Sequence, residues 1–317
     1  MLAAWQFRAG PPFTDYSEED MKLGFIGLGV MGEPMCSNLV RKAANDVIAF
    51  DLQQDPLSRV QELGALTVRS AAEVGKRADI VFLSLPTIDH VESVCFGADG
   101  VVSREACVRV IVDMSTSDVK KTRALAVRLA EHKIQLIDAP VARTRQAAQE
   151  GTLLITVGAS AENFNLVAPL LAHMGSDVVH CGEIGCGQVV KIMNNMVLLV
   201  TVNALAEAAA IGRAAGVDAE LLLNTLAKGS ADSFALRNPG LKSIAANTFP
   251  EKAFPTDYAL KDLRLALTLA NGGGIAADSA ATTARLLERA SADGYGALYY
   301  PVMVKAIEER RRRVVAG

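Results

Sequence analysis

Three glycines stand at a fixed spacing directly behind the first short apolar run of the chain. Residues 22–33 read KLGFIGLGVMGE, and Gly27, Gly29 and Gly32 follow the run LGFI. Where a strand turns directly into a helix, the first glycine of this spacing permits a tight turn, the second lets another group approach the backbone, and the third allows close packing of helix on strand. The segment therefore predicts a βα unit at the start of the fold.

Short runs typical of buried strands alternate with helical stretches from residue 22 to about residue 180. The runs are LGFIG, VIAF, ALTV, IVFLSL, VRVIVDM, IQLID, LLITV and VVH. Such alternation requires crossover helices, so it predicts an α/β fold with a doubly wound, mostly parallel sheet. After Gly187 these runs end, and the remaining sequence predicts helices over 189–215, 219–227, 258–270, 276–292 and 300–313. The second half is therefore predicted to be all-α and to begin with one long helix.

The βα context makes the glycine spacing more specific. Because the N–H groups at a helix N-terminus bind phosphate, the turn suits the pyrophosphate of a dinucleotide. Asp51 ends the second predicted strand, 19 residues after Gly32, where a carboxylate accepts hydrogen bonds from ribose hydroxyls and repels a 2′-phosphate. No arginine follows among Leu52, Gln53 and Gln54. The pattern predicts NAD in preference to NADP; a turn aspartate without a ligand is the alternative.

Two further loops are expected to border this cofactor, because ligands of such sheets lie outside the carboxyl ends of the strands. The loops are LSLPT at 83–87 and DMSTS at 113–117. With the glycine turn they give the predicted cofactor-binding residues Gly27, Leu28, Gly29, Val30, Met31, Gly32, Asp51, Leu85, Pro86 and Thr116.

The length and the net charge of the chain limit the number of domains and the kinds of partner that we expect. The 317 residues suit two domains, and we divide the chain into an N-terminal extension at 1–20, a dinucleotide-binding domain at 21–184 and an all-α domain at 185–317. The net charge of −3 argues against a nucleic-acid partner. The most apolar long run, 196–216, contains Asn203, Glu207 and Arg213, so we interpret it as a buried helix and expect no membrane span.

The cysteines and the first residues indicate the compartment. The five cysteines are scattered, odd in number and without a CxxC pair, which predicts reduced thiols, a cytoplasmic location and no metal site. The first 20 residues lack a basic region followed by a continuous apolar core, so neither a signal peptide nor an anchor is expected.

Three polar side chains share one face of the predicted long helix. Lys191, Asn194 and Asn195 in GQVVKIMNN lie at i, i+3 and i+4, which is the spacing of neighbours on a helix surface. Such groups cost about 1–3 kcal/mol each when they are buried without partners. One interpretation is a functional cleft that supplies those partners. The other is a lysine that reaches solvent beside asparagines whose hydrogen bonds are satisfied in the core.

Taken together, these segments resemble the β-hydroxyacid dehydrogenase family. The matching stretches are FIGLGVMGEPMCSNL, the LP after the fourth strand, VIVDMSTSD, DAPVARTRQAAQEGTL, GQVVKIMNN and ALKDLRLAL, spread in this order between residues 24 and 267. The resemblance implies an N-terminal Rossmann domain and an all-α C-terminal domain that binds substrate. It also implies that the C-terminal domains join subunits into a homodimer or homotetramer.

The resemblance implies roles for individual residues. Lys191 matches the family's catalytic lysine, which exchanges the proton of the substrate hydroxyl while hydride moves to or from nicotinamide. Asn195 matches the substrate-orienting asparagine, and Lys261 and Asp262 match a Lys-Asp pair that closes over the nicotinamide, so Lys261 is expected to contact cofactor as well as substrate. The implied substrate-binding residues are Ser115, Thr116, Ala142, Arg143, Thr144, Asn194, Lys261 and Asp262.

One segment departs from the family's pattern. Where the family usually reads DAPVSGG, residues 138–144 read DAPVART, so Ala142 lacks a hydroxyl and Arg143 replaces the first glycine. A guanidinium binds a carboxylate or a sulfonate through charge-assisted hydrogen bonds, and A-R-T is similar to the G-R-T of the sulfolactaldehyde reductases in this family. The alternative is that Arg143 points outward or pairs with Glu150.

The leading hypothesis is an oxidoreductase that transfers hydride between NAD(H) and a small anionic β-hydroxy acid or its semialdehyde, of the 3-hydroxyisobutyrate dehydrogenase or tartronate semialdehyde reductase type. Three alternatives are a sulfolactaldehyde reductase, an imine reductase and a non-catalytic dinucleotide-binding module. The last two are disfavoured by KxxNN at 191–195, since the resemblance implies that they replace or lack the lysine.

Overall fold

The computed structural model describes residues 21–251 and 253–315. The chain forms two compact units, of which the first ends at Lys191 and the second begins at Ile192. The division falls within the long helix, later than the boundary predicted between residues 184 and 185, because the first turn of that helix is hydrogen-bonded to strands of the first unit. The extension predicted at 1–20 lies outside the described residues.

The strands of the described chain all belong to one sheet in the first unit. They are β1 (Leu23–Ile26), β2 (Val47–Phe50), β3 (Leu66–Thr67), β4 (Ile80–Leu83), β5 (Val110–Asp113), β6 (Gln135–Asp138), β7 (Val141–Ala142), β8 (Leu153–Gly158) and β9 (Gly175–Gly182). Their order is β3-β2-β1-β4-β5-β6-β8-β7, and β9 pairs with β8. All pairs from β3 across to β6 are parallel, whereas β8 runs antiparallel to β6 and β7. The predicted doubly wound, mostly parallel sheet is confirmed.

Helices connect these strands and cover both faces of the sheet. They are α1 (Gly32–Lys42), α2 (Gln54–Glu62), α3 (Ala71–Gly75), α4 (Ile88–Phe96), α5 (Val119–Glu131), α6 (Arg145–Glu150) and α7 (Ala161–Leu171). Alternate residues of one strand belong to different cores: Leu23 and Phe25 of β1 pack on the side of α1, while Ile26 packs on the side of α5. A strand that is buried on both faces has no polar face, which is why these runs are continuously apolar.

The regular elements of the second unit are all helices in its described residues, as predicted. The long helix α8 (Cys186–Ala214) enters it and is followed by α9 (Ala219–Leu226), a π-helix (Leu236–Ala245), α10 (Thr256–Gly272), α11 (Asp278–Ala290), a π-turn (Ser291–Tyr295), a 3₁₀ turn (Tyr300–Val302) and α12 (Met303–Val315). Leu199 and Val202 of α8 share a core with Leu263 of α10 and Leu287 of α11. Tyr300, 1% exposed, lies in the same core.

The π-helix was not predicted from the sequence. It contains Pro239 followed by Gly240, a pair that usually marks a turn. Leu236 and Ile244 of the π-helix are fully buried, and the guanidinium of Arg213 donates a hydrogen bond to the carbonyl oxygen of Ile244 at 3.0 Å. Tertiary packing therefore stabilises a helical turn that local sequence preference disfavours.

Among the described helices, α8 is long and apolar enough to cross a membrane by length and composition. A core helix of the same length meets that criterion equally well. Leu199, Val202 and Ala206 of α8 pack into the helical core of the second unit, as the interpretation of a buried helix requires.

Two aspartates end neighbouring strands of the sheet with fully buried side chains. Asp113 ends β5, Asp138 ends β6, and the two residues are partners in the parallel register. Burial raises the pKa of Asp113 to about 6 and that of Asp138 to about 7, although hydrogen bonds donated to each carboxylate lower it. The folded state therefore binds these protons more tightly than the unfolded chain does. This contribution to folding stability is fully present below the pKa of the unfolded chain, near 4. It is lost as the pH rises through the pKa values of the two aspartates in the folded protein.

We expect an Asp113→Asn variant to lose part of the pH dependence of the folding stability. In the wild type, Asp113 should lower the free energy of unfolding by up to about 3 kcal/mol between roughly pH 4 and pH 6, since one pKa unit corresponds to about 1.4 kcal/mol. Asparagine keeps an oxygen that can accept the hydrogen bond from the N–H of Ser115 and does not ionise. Urea unfolding of both proteins across this window measures the difference. Parallel stability curves would contradict the prediction.

Candidate active site

The glycine turn joins β1 to α1 as the sequence predicts. Gly27 has φ +95°, and its N–H donates to the carbonyl oxygen of Phe50 in β2 at 3.1 Å. A Cβ at Gly27 would overlap the carbonyl oxygen of Ser84, and one at Gly32 would overlap that of Gly27. A Cβ at Gly29, by contrast, would meet nothing within 4 Å. Two of the glycines are therefore required by internal packing, and the third leaves open space beside the turn.

The open space at Gly29 adjoins the beginning of α1. Met31 precedes the helix and makes no side-chain cap hydrogen bond. Val30 is 53% exposed, whereas Leu28 is buried. A helix start that is not capped by a side chain, beside a backbone without a Cβ, provides N–H groups and room for a phosphate. These residues fit the pyrophosphate of a dinucleotide.

Asp51 links the glycine turn to the end of β2. Its Oδ2 accepts a hydrogen bond from the N–H of Leu28 at 2.5 Å, and its Oδ1 accepts one from the N–H of Gln53 at 2.7 Å. Each carboxylate oxygen can accept a second hydrogen bond, so the side chain is held in place and can still accept one from a ribose hydroxyl. The next residue, Leu52, is 89% exposed.

The loops after β4 and β5 meet at the same edge of the sheet. The N–H of Leu85 donates to Oγ of Ser115 at 2.9 Å, and the N–H of Met114 donates to the carbonyl oxygen of Leu83 at 2.8 Å. Pro86 follows Leu85 in the loop. Ser115 is buried and its hydroxyl holds the neighbouring loop, whereas Thr116 is half-buried. Thr116 is thus the more accessible of the two residues predicted to contact ligands.

The segment that departs from the family pattern lies at the antiparallel side of the sheet. Ala142 is buried in β7, opposite Leu154. Thr144 precedes α6, and its Oγ1 accepts a hydrogen bond from the N–H of Ala147 at 3.2 Å. Both residues therefore have structural roles within the first unit. The hydroxyl of Thr144 caps a helix.

Arg143 is bound by the edge of the sheet. Its guanidinium donates to the carbonyl oxygen of Thr152 at 2.6 Å, to Oγ of Ser176 at 2.8 Å and to a carboxylate oxygen of Asp177 at 2.7 Å. Hydrogen bonds from Ser176 and Arg143 lower the pKa of Asp177. Arg143 is an exposed residue, and it pairs with Asp177 instead of with Glu150, whose carboxylate accepts a hydrogen bond from Gln146.

The first turns of α8 carry Lys191 and attach to the sheet. Lys191 is half-buried. Three residues earlier, Gln188 is fully buried, and its N–H donates to Asp138 at 2.7 Å. The sequence places Asp113 in a loop expected to border the cofactor, but no role was predicted for the side chains of Asp113, Asp138 and Gln188. A carboxylate that ends a buried apolar run, as in VIVD and QLID, was the available signal.

In the second unit, four predicted residues come together. Nδ2 of Asn195 donates to Oδ2 of Asp262 at 2.7 Å, and Nδ2 of Asn194 donates to Oδ1 of Asn195 at 3.1 Å. Nζ of Lys261 lies 3.3 Å from Oδ1 of Asp262 and 5.1 Å from the centre of the Tyr258 ring. Asn195 and Asp262 are each 4% exposed. The carboxylate thus fixes the orientation of the Asn195 amide.

The described residues contain no group of three or more His, Cys, Asp or Glu side chains that could hold a metal ion. All five cysteines, Cys181 and Cys186 included, are free thiols.

Two family models match the two halves of the chain. The model described as the NAD binding domain of 6-phosphogluconate dehydrogenase matches residues 22–182. The model described as the NAD-binding region of NADP-dependent 3-hydroxyisobutyrate dehydrogenase matches residues 185–307. The models therefore cover both the sheet unit and the helical unit.

Named relatives are similar over nearly the whole chain. The 2-(hydroxymethyl)glutarate dehydrogenase of Eubacterium barkeri is 36% identical and covers 95% of this chain and 99% of its own. The 2-hydroxy-3-oxopropionate reductase of Escherichia coli is 33% identical over 91% of this chain and 97% of its own. The structure of Mycobacterium tuberculosis 3-hydroxyisobutyrate dehydrogenase with L-serine superposes with a TM-score of 0.80 at 29% identity, covering 91% of this chain and 99% of its own.

The glycine turn, Asp51, the lysine on the long helix and the matched models agree with one another. The chain belongs to the β-hydroxyacid dehydrogenase family, whose members bind NAD(P).

Proposed function

We propose that this protein transfers a hydride between NAD(H) and a small anionic β-hydroxy acid or its semialdehyde. The observation that carries the proposal is the glycine turn whose Leu28 N–H is bound by Asp51, in a chain that also presents Lys191 and Asn195 at the family's positions. Relatives named as dehydrogenases and reductases of hydroxy acids support this substrate class.

Bound NAD(H) supplies the hydride acceptor or donor. The turn at 27–32 binds its pyrophosphate, Asp51 binds the adenosine ribose, and Leu85, Pro86 and Thr116 border it. Lys191 takes the proton of the substrate hydroxyl in oxidation and returns it in reduction. Asn195 orients the substrate, and Asp262 holds the amide of Asn195 through a 2.7 Å hydrogen bond. Lys261 contributes a cation, and its ion pair with Asp262 keeps the ammonium group near the amide of Asn195.

NAD is the preferred cofactor in this proposal. The carboxylate of Asp51 repels a 2′-phosphate. Arg59, a cation on the following helix, is bound by Glu33 through Nε and Nη2 at 2.5 and 2.8 Å, so that its guanidinium is already engaged. Assays with NAD and NADP side by side test the preference.

The proposed substrate carries a carboxylate. The sulfonate alternative depended on Arg143, whose guanidinium is held by Thr152, Ser176 and Asp177. Arg143 also has φ +87°, a conformation that favours glycine. Its three hydrogen bonds offset a backbone cost of about 1–2 kcal/mol for a non-glycine residue in that region.

The long helix presents a stripe of small and apolar residues on its outer side within the second unit. Val197 and Ile211 are 58% and 68% exposed. With Thr201, Ala204 and Ala208 they form a row in which consecutive members are alternately four and three residues apart. This spacing is that of a helix-pairing seam. A second copy of the chain supplies the matching stripe, so we propose a homodimer or a dimer-based homotetramer.

A cytoplasmic location completes the proposal. Cys36 and Cys95 are buried, burial raises the pKa of both thiols, and all five cysteines are free. Fractionation of cells that produce the protein tests this location.

We expect Lys191→Ala to bind NADH as the wild type does and to lose turnover by at least about 100-fold, because general acid–base catalysis contributes that much or more. Lys228→Ala, which removes an exposed lysine of the second unit, is the control and should keep full activity. Fluorescence titration of NADH and steady-state rates on a panel of hydroxy acids and semialdehydes measure the two effects. Retained turnover in Lys191→Ala would overturn the role of the lysine.

For Arg143, two substitutions separate a structural role from substrate binding. Both Arg143→Gly and Arg143→Ala remove the ion pair with Asp177. Because glycine also removes the cost of the left-handed backbone, the free energy of unfolding of Arg143→Gly should exceed that of Arg143→Ala by about 1 kcal/mol. We expect neither variant to change the KM for a carboxylate substrate by more than about twofold. Thermal unfolding and KM measurements provide the test. A KM increase of tenfold or more, for a carboxylate or a sulfonate substrate, would restore Arg143 as an anion-binding residue.

For the assembly, Ile211→Lys should convert the oligomer to a smaller species, since the cation would have to be buried in the paired stripe. Light scattering on the wild type and the variant measures the mass. A monomeric wild type, or an unchanged mass in the variant, would show that this stripe does not pair.

A further inference from the structure

Gln188 connects the beginning of α8 to both sides of Thr116. Its Oε1 accepts a hydrogen bond from the N–H of Ser117 at 2.9 Å, and its Nε2 donates to the carbonyl oxygen of Ser115 at 2.7 Å. The side chain is 0% exposed. One amide therefore fixes the backbone on both sides of Thr116, which is the half-buried residue of the 115–117 loop.

Asp138 in turn fixes Gln188. The N–H groups of Gln188 and Gly185 donate to the two carboxylate oxygens of Asp138 at 2.7 and 2.6 Å. Room for the carboxylate exists because Gly158 and Gly187 lack side chains: a Cβ at Gly158 would overlap Oδ1, and one at Gly187 would lie 2.8 Å from Oδ2. The start of the helix is thus hydrogen-bonded to the end of β6.

A second strand reinforces this attachment. Oγ1 of Thr156 in β8 donates to the carbonyl oxygen of Gly187 at 3.0 Å, and a Cβ at Gly187 would overlap the carbonyl oxygen of Thr156. The backbone of α8 at Gly187 is therefore in direct contact with the backbone of β8. Movement of the first turn of α8 along or away from the sheet would therefore break hydrogen bonds to β6, to β8 and to the 115–117 loop.

Lys191 follows Gln188 by three residues, which places it on the neighbouring position of the same helix face. We propose that Gln188, held by Asp138, is a positioning residue that sets the distance between Thr116 and Lys191. The inference rests on the proposed function in assigning Lys191 to proton transfer. Displacements on the order of 1 Å can cost about 100-fold in rate, so a hydrogen-bonded amide that ties the lysine's helix to the loop affects turnover without contacting the reacting atoms.

The test uses the full-length protein with Gln188→Met, which keeps the length of the side chain and removes both hydrogen bonds. We expect kcat to fall roughly 10- to 100-fold, while the dissociation constant of NADH changes less than about twofold. The labelling rate of Lys191 by trinitrobenzenesulfonate, followed by peptide mass spectrometry without substrate, should differ from the wild-type rate in Gln188→Met.

Asn38→Leu is the matched control. Asn38 is also a buried amide of the first unit, and its Nδ2 ties α1 to α6 through the carbonyl oxygen of Ala148 at 2.8 Å. Its substitution should lower the melting temperature as Gln188→Met does but leave kcat and the labelling of Lys191 unchanged.

A Gln188→Met protein with wild-type kcat and wild-type labelling, destabilised only as the control is, would overturn the inference. If the wild type turns over no hydroxy acid or semialdehyde, the proposed function fails instead. The labelling experiment then still decides whether Gln188 controls the environment of Lys191, because it needs no turnover.

Discussion

The buried carboxylate of Asp138 attaches the long helix to the sheet, and the geometry of the lysine-bearing turn depends on this attachment. Burial of a carboxylate is costly, and two short hydrogen bonds from backbone N–H groups, together with the positive end of the helix dipole, offset part of this cost. The same hydrogen bonds satisfy donors that would otherwise be unpaired at a buried helix start. Two glycines provide the space. The helix takes part in this contact through backbone groups, and the strands take part through the side chains of Asp138 and Thr156.

The carboxyl edge of the sheet gathers the remaining parts of the nucleotide site by the same means. Gly27 donates to Phe50, Leu28 donates to Asp51, and Leu85 donates to Ser115. Each hydrogen bond joins the carboxyl ends of neighbouring strands or the loops that follow them. The position of one loop therefore fixes the position of the next, and a ligand meets a surface that is already assembled.

Local patterns in the sequence predicted the parts of this fold that depend on local chemistry. The glycine spacing required a strand, a turn and a helix, and the apolar runs required a sheet buried on both faces. Asp51 could be found because its distance along the chain from Gly32 is itself part of the pattern. The polar stripe of α8 could be found because helical spacing alone places Lys191 and Asn195 together.

What the sequence did not reveal depends on residues far apart in the chain. The partner of Arg143 is Asp177, 34 residues away, and nothing near either residue indicates the pair. Gln188 bonds Ser117 across 71 residues, so its role was invisible until the sheet was assembled. Pro239 and Gly240 favour a turn locally, and only the burial of Leu236 and Ile244 shows why the chain remains helical there.

The three glycines of the turn differ in what requires them, because only Gly29 has open space beside it. A methyl group at Gly27 or Gly32 collides with the protein itself, so such changes would be removed by any demand for folding. At Gly29 the methyl group would touch nothing within the chain, so in the proposed nucleotide site its only steric conflict would be with the bound pyrophosphate. A variant library sorted by solubility or heat resistance would accept alanine at this position, while the same library sorted by nucleotide affinity would reject it.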